Sequence, residues 1–311
     1  MTEQIPIVVI LGATAVGKTA TAIRVAKETD GEVVSVDSRY FYRGMDIGTA
    51  KPSLEEMQGV PHHMVDIANP DEVISLGMFQ KMAAQVIADI HQRGRLPILV
   101  GGTGQYIRAV VEGWTVPEVA PQPEIRTYFL KLWEQEGPEA VQRWLKLLDP
   151  QAYQQVDLRN SRRVIRALEV IYSSGRLFSQ QRSREPSPYH PLQIGLRLPR
   201  EKLYQRADAR VDWMMAHGFV EEVWALLGNG FDENLPSMTA IGYYELCAYL
   251  HGKMTVSEAV YKIKMRTHNF IRKQATWFRS SDPAIHWLDM DQDADARVLS
   301  LTKLNLEGGA H

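Results

Sequence analysis

The sequence predicts an α/β protein, built on a parallel sheet with helices on both faces. A small all-helical domain is inserted into that core, and the C-terminal part is helical. Three observations predict it. A short apolar run, Ile7 to Leu11, leads directly into a glycine-rich turn and a helical pattern. Apolar strand-like runs then alternate with amphipathic stretches over the first hundred residues, the signature of a sheet covered on both sides. Between two proline clusters the pattern becomes purely helical, and a strand resumes immediately afterwards.

The elements follow in order. Ile7-Val8-Val9-Ile10-Leu11 reads as a buried parallel strand, and Thr19 to Glu28 as a helix with Ala20, Ile23 and Ala26 on one side. The residues between them, Gly12-Ala13-Thr14-Ala15-Val16-Gly17-Lys18-Thr19, match G-x-x-x-x-G-K-[ST], the phosphate-binding loop, in its required strand–turn–helix setting. Such a loop turns successive N–H groups toward an anion at a helix N-terminus. Lys18 adds a positive charge, and the Thr19 hydroxyl is suited to ligate Mg²⁺ beside the phosphates. A P-loop NTPase-like core that binds a di- or triphosphate is therefore expected.

Glu32 to Val36 predicts the next strand, ending at Asp37-Ser38, and His63 to Ile67 a further one. A helix from about Leu76 to Arg93 leads into the strand Leu96 to Val100, closed by Gly101-Gly102-Thr103-Gly104. Ligands of parallel sheets sit beyond the carboxyl ends of the strands, which brings the P-loop, Asp37-Ser38 and the Gly-Gly-Thr-Gly turn to one rim. Asp37 on that rim suits a metal-linked carboxylate or a general base. No acid follows the Leu96 strand and no guanine-reading Asn-Lys-x-Asp occurs, which weighs against an ordinary NTPase but leaves a small-molecule kinase open.

Pro117, Pro121 and Pro123 open the helical segment, with helices at Ile125 to Glu136, Pro138 to Leu148 and Asn160 to Ser174; Pro186, Pro188 and Pro191 close it. Residues 117–189 are expected to form the inserted domain, and 1–116 with 190–311 the core, although helices packed flat on the sheet remain an alternative. The strand Leu192 to Leu198 follows, then helices from Arg200, a long amphipathic helix from Val256 to Ser280 and a strand at Ile285 to Leu288. The tail after Leu301 is expected to fray. Trp213, Trp224, Trp277 and Trp287 are expected in the core, with Trp277 close to a ligand face.

Composition sets the class. Cys247 is the only cysteine, so an intrachain disulfide and a Cys-based zinc site are excluded. No apolar run approaches the ~20 residues of a membrane span and no signal-peptide core is visible, so a cytoplasmic protein is expected. The net charge of −2 hides a basic stretch, Tyr261 to Arg279, with six Lys or Arg and no acid. Arg159, Arg162, Arg163 and Arg166 recur at i, i+3, i+4, i+7, one stripe of a helix, with Val164, Ile165, Leu168 and Ile171 on its other side. Either block can be a solvated face or a polyanion-binding surface.

The chain resembles the tRNA dimethylallyltransferases (the IPP transferase family). The resemblance is carried, in order along nearly the whole chain, by Gly12–Thr19, Asp37-Ser38-Arg39, Tyr42 to Pro52, Pro61-His62-His63, Gly101–Gly104, Arg162 to Val170, Gly242-Tyr243 and Trp277-Phe278-Arg279. It implies transfer of the dimethylallyl group from dimethylallyl diphosphate to N6 of the adenine immediately 3′ of a tRNA anticodon. The implied diphosphate grip comprises Gly12, Ala13, Thr14, Ala15, Val16, Gly17, Lys18 and Thr19, with Mg²⁺ on Thr19 and one of Arg206 and Arg210, of which Arg210 is favoured. Asp37 is the implied general base, and Thr14 and Thr103 line the channel. The implied tRNA contacts are Asp37, Ser38, Arg39, Tyr40, Thr103, Arg126, the run Arg162-Arg163-Val164-Ile165-Arg166, Gly242, Lys262, Arg266 and Lys273. Tyr40 stands where the family usually has Gln, so stacking is expected to replace hydrogen bonding there. The expected partner is the anticodon stem-loop, bound by a monomer. Prenylation of free adenine nucleotides is the nearest other chemistry, but it needs neither the helical insertion nor the basic C-terminal helix.

Overall fold

A computed structural model of the chain describes residues 4–117, 119–181, 183–290 and 293–308. Contacts divide the chain into two compact units, residues 1–111 with 187–311 and residues 112–186.

The larger unit is built on six strands: β1 (Ile5–Gly12), β2 (Gly31–Ser35), β3 (His62–His63), β4 (Leu96–Gly101), β5 (Tyr189–Arg197) and β6 (Ile285–Asp289). They form one sheet in the order β3-β2-β4-β1-β5-β6, with every pair parallel. The strand β1 lies at its centre and alternates between two cores. Ile7, Val9 and Leu11 pack on one face, Val8 and Ile10 on the other, and all five are buried. A strand buried on both faces must be apolar at consecutive positions, which is why Ile7–Leu11 shows no polar alternation.

The helices of this unit are α1 (Lys18–Thr29), α2 (Leu54–Met57), α3 (Leu76–Gln92) and α4 (Gly104–Val111) before the smaller unit. The smaller unit contains α5 (Pro123–Glu136), α6 (Pro138–Leu148), α7 (Pro150–Gln155) and α8 (Ser161–Ser174). After it, α9 (Arg200–Ala216), α10 (Phe219–Gly228), α11 (Tyr243–Leu250), α12 (Val256–Trp277) and α13 (Ala294–Gly308) complete the larger unit. Among the described residues no helix is long and apolar enough to cross a membrane.

The smaller unit has its own core of Phe129, Val141, Leu145, Val164, Ile165 and Leu168. Glu169 is fully buried there, accepts from the Gln122 N–H at 2.7 Å, and pairs with Arg126 at 2.6 Å and Arg166 at 2.5 Å. The chain enters and leaves this unit side by side, with Thr115 N–H donating to Ser183 O and Glu185 N–H to Gly113 O, each at 2.9 Å.

Several expectations need correction. The strand expected over His63–Ile67 stops at His63, because Met64 (φ 61°) and Asp66 (φ 53°) take left-handed backbone that no strand tolerates. The fraying expected beyond Leu301 does not hold as far as Gly308, to which α13 runs with Ala294, Val298 and Thr302 fully buried on one stripe; the remainder of that expectation lies outside the described residues. Asp295 on α13 accepts from the Thr21 hydroxyl at 2.7 Å and pairs with Arg24 at 2.5 Å, which anchors the helix on α1. Trp213 and Trp224 are exposed rather than in the core. Trp224 lies off the α10 stripe formed by Phe219, Val223 and Leu226, and Trp213 stacks on His217.

Candidate functional site

β1 delivers the phosphate-binding loop to the rim of the sheet. Ala15 (φ 63°) and Gly17 (φ 109°) are left-handed, and this curls the backbone between β1 and α1 into a nest of N–H groups. Lys18 opens α1, and its Nζ donates to Ala13 O at 2.9 Å. Burial pushes the Lys18 ammonium down to about 8; the Asp37 carboxylate pulls it back up and the Arg210 charge pushes it further down. The next residue, Thr19, lines the same cavity wall as Tyr40.

Asp37 lies two residues beyond β2, where Oδ1 accepts from the Arg39 N–H at 3.0 Å. Two adjoining cavities, of about 610 and 550 Å³, both reach it. They share Thr14, Ala15, Asp37, Thr49, Ala50 and Arg210 in their walls. The smaller cavity is the loop's own, lined by Gly17, Lys18, Thr19, Tyr40 and Glu56. The larger is lined by Ser38, Arg39, Thr103, Arg266, Phe270, Lys273 and Trp277, a mixture of cations, hydroxyls and aromatic faces. An anion subsite thus opens onto a cavity suited to a flat, polar, anionic partner, with one carboxylate at the junction.

Two side chains that no sequence motif marked hold this junction together. Gln274 on α12 is buried; its Oε1 accepts from the Thr14 N–H at 2.8 Å and its Nε2 donates to Gly102 O at 3.1 Å. One amide therefore ties the phosphate-binding loop to the Gly-Gly-Thr-Gly turn. α12 can approach this closely because Gly104 has no side chain; a Cβ there would lie 2.5 Å from Trp277 Cβ. Glu222 on α10 does the same for the loop after Asp46. Its carboxylate accepts from the N–H groups of Asp46 (2.9 Å), Ile47 (2.7 Å) and Gly48 (3.1 Å), and from the Tyr243 hydroxyl at 2.5 Å. That loop carries Thr49 and Ala50 into both cavity walls.

The remaining candidates fall into distinct places. Arg210 lines both cavities, whereas Arg206, one turn away on α9, lines neither. Arg39 braces the carbonyls of Pro236 (3.1 Å) and Ser237 (3.2 Å). Arg266 pairs with the buried Glu245 and lies 5.6 Å from the Tyr244 ring. Exposed Lys262 sits one turn before Arg266, beside a shallow hollow that the two residues share with Tyr244. Gly242 is buried, its N–H is taken by Glu245 at 2.8 Å, and a Cβ would meet the Phe219 ring at 2.5 Å. Its glycine is thus required by packing. Tyr40 does not stack outward either, since its hydroxyl donates to Ala50 O at 2.8 Å within the phosphate cavity.

In the smaller unit, Arg162 and Arg163 are exposed on the first turn of α8. Arg159 precedes that helix and pairs with Asp157 at 3.2 Å, so the expected stripe of four shortens. Arg126 and Arg166 serve the buried Glu169. Val164 and Ile165 belong to the core of the unit, so their side chains cannot face RNA.

Among the described residues, no group of three or more His, Cys, Asp or Glu could hold a metal ion unaided. The donors at the junction are hard oxygens, the Thr19 hydroxyl and the Asp37 carboxylate. They suit a small divalent ion that keeps most of its ligands as water and substrate oxygens.

The family model described as IPP transferase matches residues 40–281. A tRNA dimethylallyltransferase of Thermomicrobium roseum is 48% identical over 292 residues, covering 94% of this chain and 88% of its own length. The full-length tRNA isopentenylpyrophosphate transferase of Bacillus halodurans superposes with a TM-score of 0.73 at 39% identity, covering 98% of each chain. A eukaryotic dimethylallyltransferase acting on tRNA gives 0.80 at 26% identity, covering 98% of this chain and 80% of its own. With a shared fold, a matching family model over most of its length and relatives near half-identical, the chain belongs to the IPP transferase family.

Proposed function

We propose that this protein transfers the dimethylallyl group of dimethylallyl diphosphate to N6 of the adenine immediately 3′ of the anticodon in tRNA, releasing diphosphate. The observation that carries the reading is the junction of two cavities at Asp37, one walled by the phosphate-binding loop and the other by cations and aromatic faces of α12. A two-substrate transfer needs such a meeting point.

The diphosphate lies in the loop from Gly12 to Thr19, held by backbone N–H groups, Lys18 and Arg210. The adenine enters the larger cavity past Thr103, and its exocyclic amine meets Asp37. The allylic C–O bond breaks, the new C–N bond forms at N6, and the amine proton passes to the Asp37 carboxylate and on to water. The amine is a poor nucleophile because its lone pair is conjugated with the ring, so orientation and proton removal both count. The allylic carbon tolerates cationic character, so much of the rate comes from stabilising the departing diphosphate. Part of that charge is neutralised by a divalent ion, which we take to be Mg²⁺ on the Thr19 hydroxyl.

The basic face of α12 (Lys262, Arg266 and Lys273) and the helical insertion, read from sequence as residues 117–189, hold the anticodon arm by its phosphates. Arg162 and Arg163 are the insertion's contributors. A base in a loop is unstacked at a cost of a few kcal/mol, less than one in a duplex. The protein acts as a monomer in the cytoplasm.

The test is transfer of radiolabelled dimethylallyl from its diphosphate, with Mg²⁺, to an adenine-bearing anticodon stem-loop, the same hairpin with guanine at that position, and free AMP. Label on the first hairpin alone is expected. Label on AMP would reassign the acceptor to free nucleotides, and no label on any acceptor would reject prenyl transfer.

A further inference from the structure

A further cavity in the larger unit, of about 370 Å³, belongs to neither substrate pocket. It shares only Gln274 with the larger of them and no wall residue with the smaller. The carboxyl end of β5, the strand β6, the first turn of α9 and the last two turns of α12 enclose it, and Gly12 and Ala13 close one side. Its size falls within the roughly 300–1,000 Å³ of small-molecule sites. Much of the wall is hydrocarbon, with Leu196, Leu203, Ile271 and Phe278 all buried.

The polar part of the wall is almost entirely donors. Arg197, Arg200 and Arg272 line the cavity and no acid does. Arg197 is answered by Asp289 at 2.7 Å, but Arg272 reaches only neutral groups, the Tyr204 hydroxyl at 3.1 Å and the Asn269 amide oxygen. Arg200 is exposed and has no ion-pair partner among the described residues. α9 starts at the same place behind Pro199, which has no side chain able to cap it, so its first N–H groups stay available to an anion. Trp287, also in the wall, has its indole N–H buried with no hydrogen-bond partner among the described residues, an exception to the rule that buried polar groups are paired. Gln274 has both ends of its amide engaged elsewhere.

We propose that this cavity is a binding site for a small amphiphilic anion, a short aliphatic chain ending in a phosphate monoester, separate from both substrate cavities. The head lies among Arg200, Arg272 and the first turn of α9, where two positive charges have no acid to answer them. A phosphate monoester is largely dianionic at neutral pH and matches that excess. The chain lies against Leu203, Ile271 and Phe278. The volume suits one short chain free in solution rather than the paired chains of a membrane lipid. No step of the proposed transfer enters this cavity, so the site stands whether or not that reading holds.

The test is calorimetric titration of octyl phosphate, octanol and inorganic phosphate into wild type, Arg200→Glu, Ala275→Trp and Lys18→Ala. Arg200 and Ala275 are exposed wall residues, so both variants should fold, which melting curves verify. Octyl phosphate is expected to bind wild type about tenfold or more tighter than either octanol or inorganic phosphate, because only it meets both halves of the wall. Arg200→Glu should weaken it about tenfold, and Ala275→Trp, which puts an indole into the cavity, should abolish it. Lys18→Ala should leave octyl phosphate affinity within about twofold, since the P-loop ammonium is not in this wall. No binding to wild type, or undiminished affinity in either Arg200→Glu or Ala275→Trp, would overturn the proposal. Equal binding of octanol or of inorganic phosphate would overturn it too, leaving a plain apolar hollow or an unselective cationic one. Loss in Lys18→Ala would place the anion in the P-loop instead, and cosedimentation of wild type with phosphatidic acid vesicles, abolished by Arg200→Glu, would replace the free solute with a membrane surface.

Discussion

Gln274→Met isolates the amide that joins the P-loop to the Gly-Gly-Thr-Gly turn. Methionine keeps most of the volume, so the packing of α12 against Gly104 survives and the change is confined to two hydrogen bonds. The substitution strands the Thr14 N–H, satisfied at 2.8 Å in the native protein, and the Gly102 carbonyl, satisfied at 3.1 Å. A buried polar group left without a partner costs roughly 1–3 kcal/mol. The Gly102 bond is fully buried and the Thr14 bond only partly, so the pair should cost about 2–4 kcal/mol. The assay is hydrogen–deuterium exchange of the peptides spanning residues 12–17 and 101–106, with thermal unfolding alongside. If opening becomes easier by that amount, protection at Thr14 should fall by roughly 30-fold or more, since 1.4 kcal/mol is tenfold. Gln274→Glu should be worse still, because it keeps the acceptor for Thr14 but sets a carboxylate oxygen against the Gly102 carbonyl. Unchanged exchange at Thr14 together with an unchanged melting temperature would refute the reasoning, showing that solvent reaches both groups.

Four further outcomes are expected. Asp37→Ala should lower kcat by about 10²–10⁴ while stem-loop affinity, read by filter binding, stays within about twofold; normal turnover would remove Asp37 from the base role. Charge reversal at Arg162 and Arg163 should flatten the salt dependence of stem-loop binding by about 1.4–1.8 in log–log slope, and an unchanged slope would take this helix off the RNA. Because burial holds Lys18 at about 8 in the free protein, diphosphate affinity should be highest below that pH and decline above it as the ammonium is lost. Titrations across that range should show the inflection in wild type but not in Lys18→Arg. Glu32 is buried among Arg93, Arg95 and His63; its hydrogen bonds from Arg93 above all hold its carboxyl at about 2, below the usual 4.5. Its stabilising contribution is therefore complete above the unfolded value and is lost as pH falls from there toward 2. Glu32→Gln should flatten the acid limb of the stability curve and cost about 2 kcal/mol at neutral pH, less than a wholly buried pair because both arginines reach solvent.

The core sheet was legible because a strand buried on both faces must be apolar throughout, and Ile7–Leu11 and Leu96–Val100 announce themselves that way. The short edge strand was not. Met64 and Val65 have strand-forming side chains, but backbone angles at Met64 and Asp66, set by tertiary context, end the strand at His63. The helix α7 went unread although Asp149-Pro150 supplies an N-cap and an N1 proline, because six residues are too few for a periodic pattern. The meeting of Lys18, Asp37 and Thr103 at one rim follows from parallel strands sharing a carboxyl edge. The tie made by Gln274 does not, because its partners lie 260 and 172 residues away and its neighbours Arg272 and Lys273 read only as charge. Tyr40 is similar: its identity was plain, but its direction depends on the Ala50 carbonyl that a separate loop presents.

The paired chain ends of the smaller unit change what the insertion means for the rest of the polypeptide. With Gly113 and Thr115 hydrogen-bonded to Glu185 and Ser183, the excursion of roughly 75 residues between β4–α4 and β5 begins and ends at neighbouring points. Once that unit has folded, the growing sheet meets it as a short turn, so β5 can find β1 without closing a long flexible loop. At about 0.6 kcal/mol per doubling of loop length, the saving in closure entropy is roughly 2–3 kcal/mol. A segment arranged like this can be lengthened, shortened or exchanged in evolution while the register of β1 against β5 stays fixed. The catalytic rim and the size of the appended arm are thereby free to vary on separate schedules.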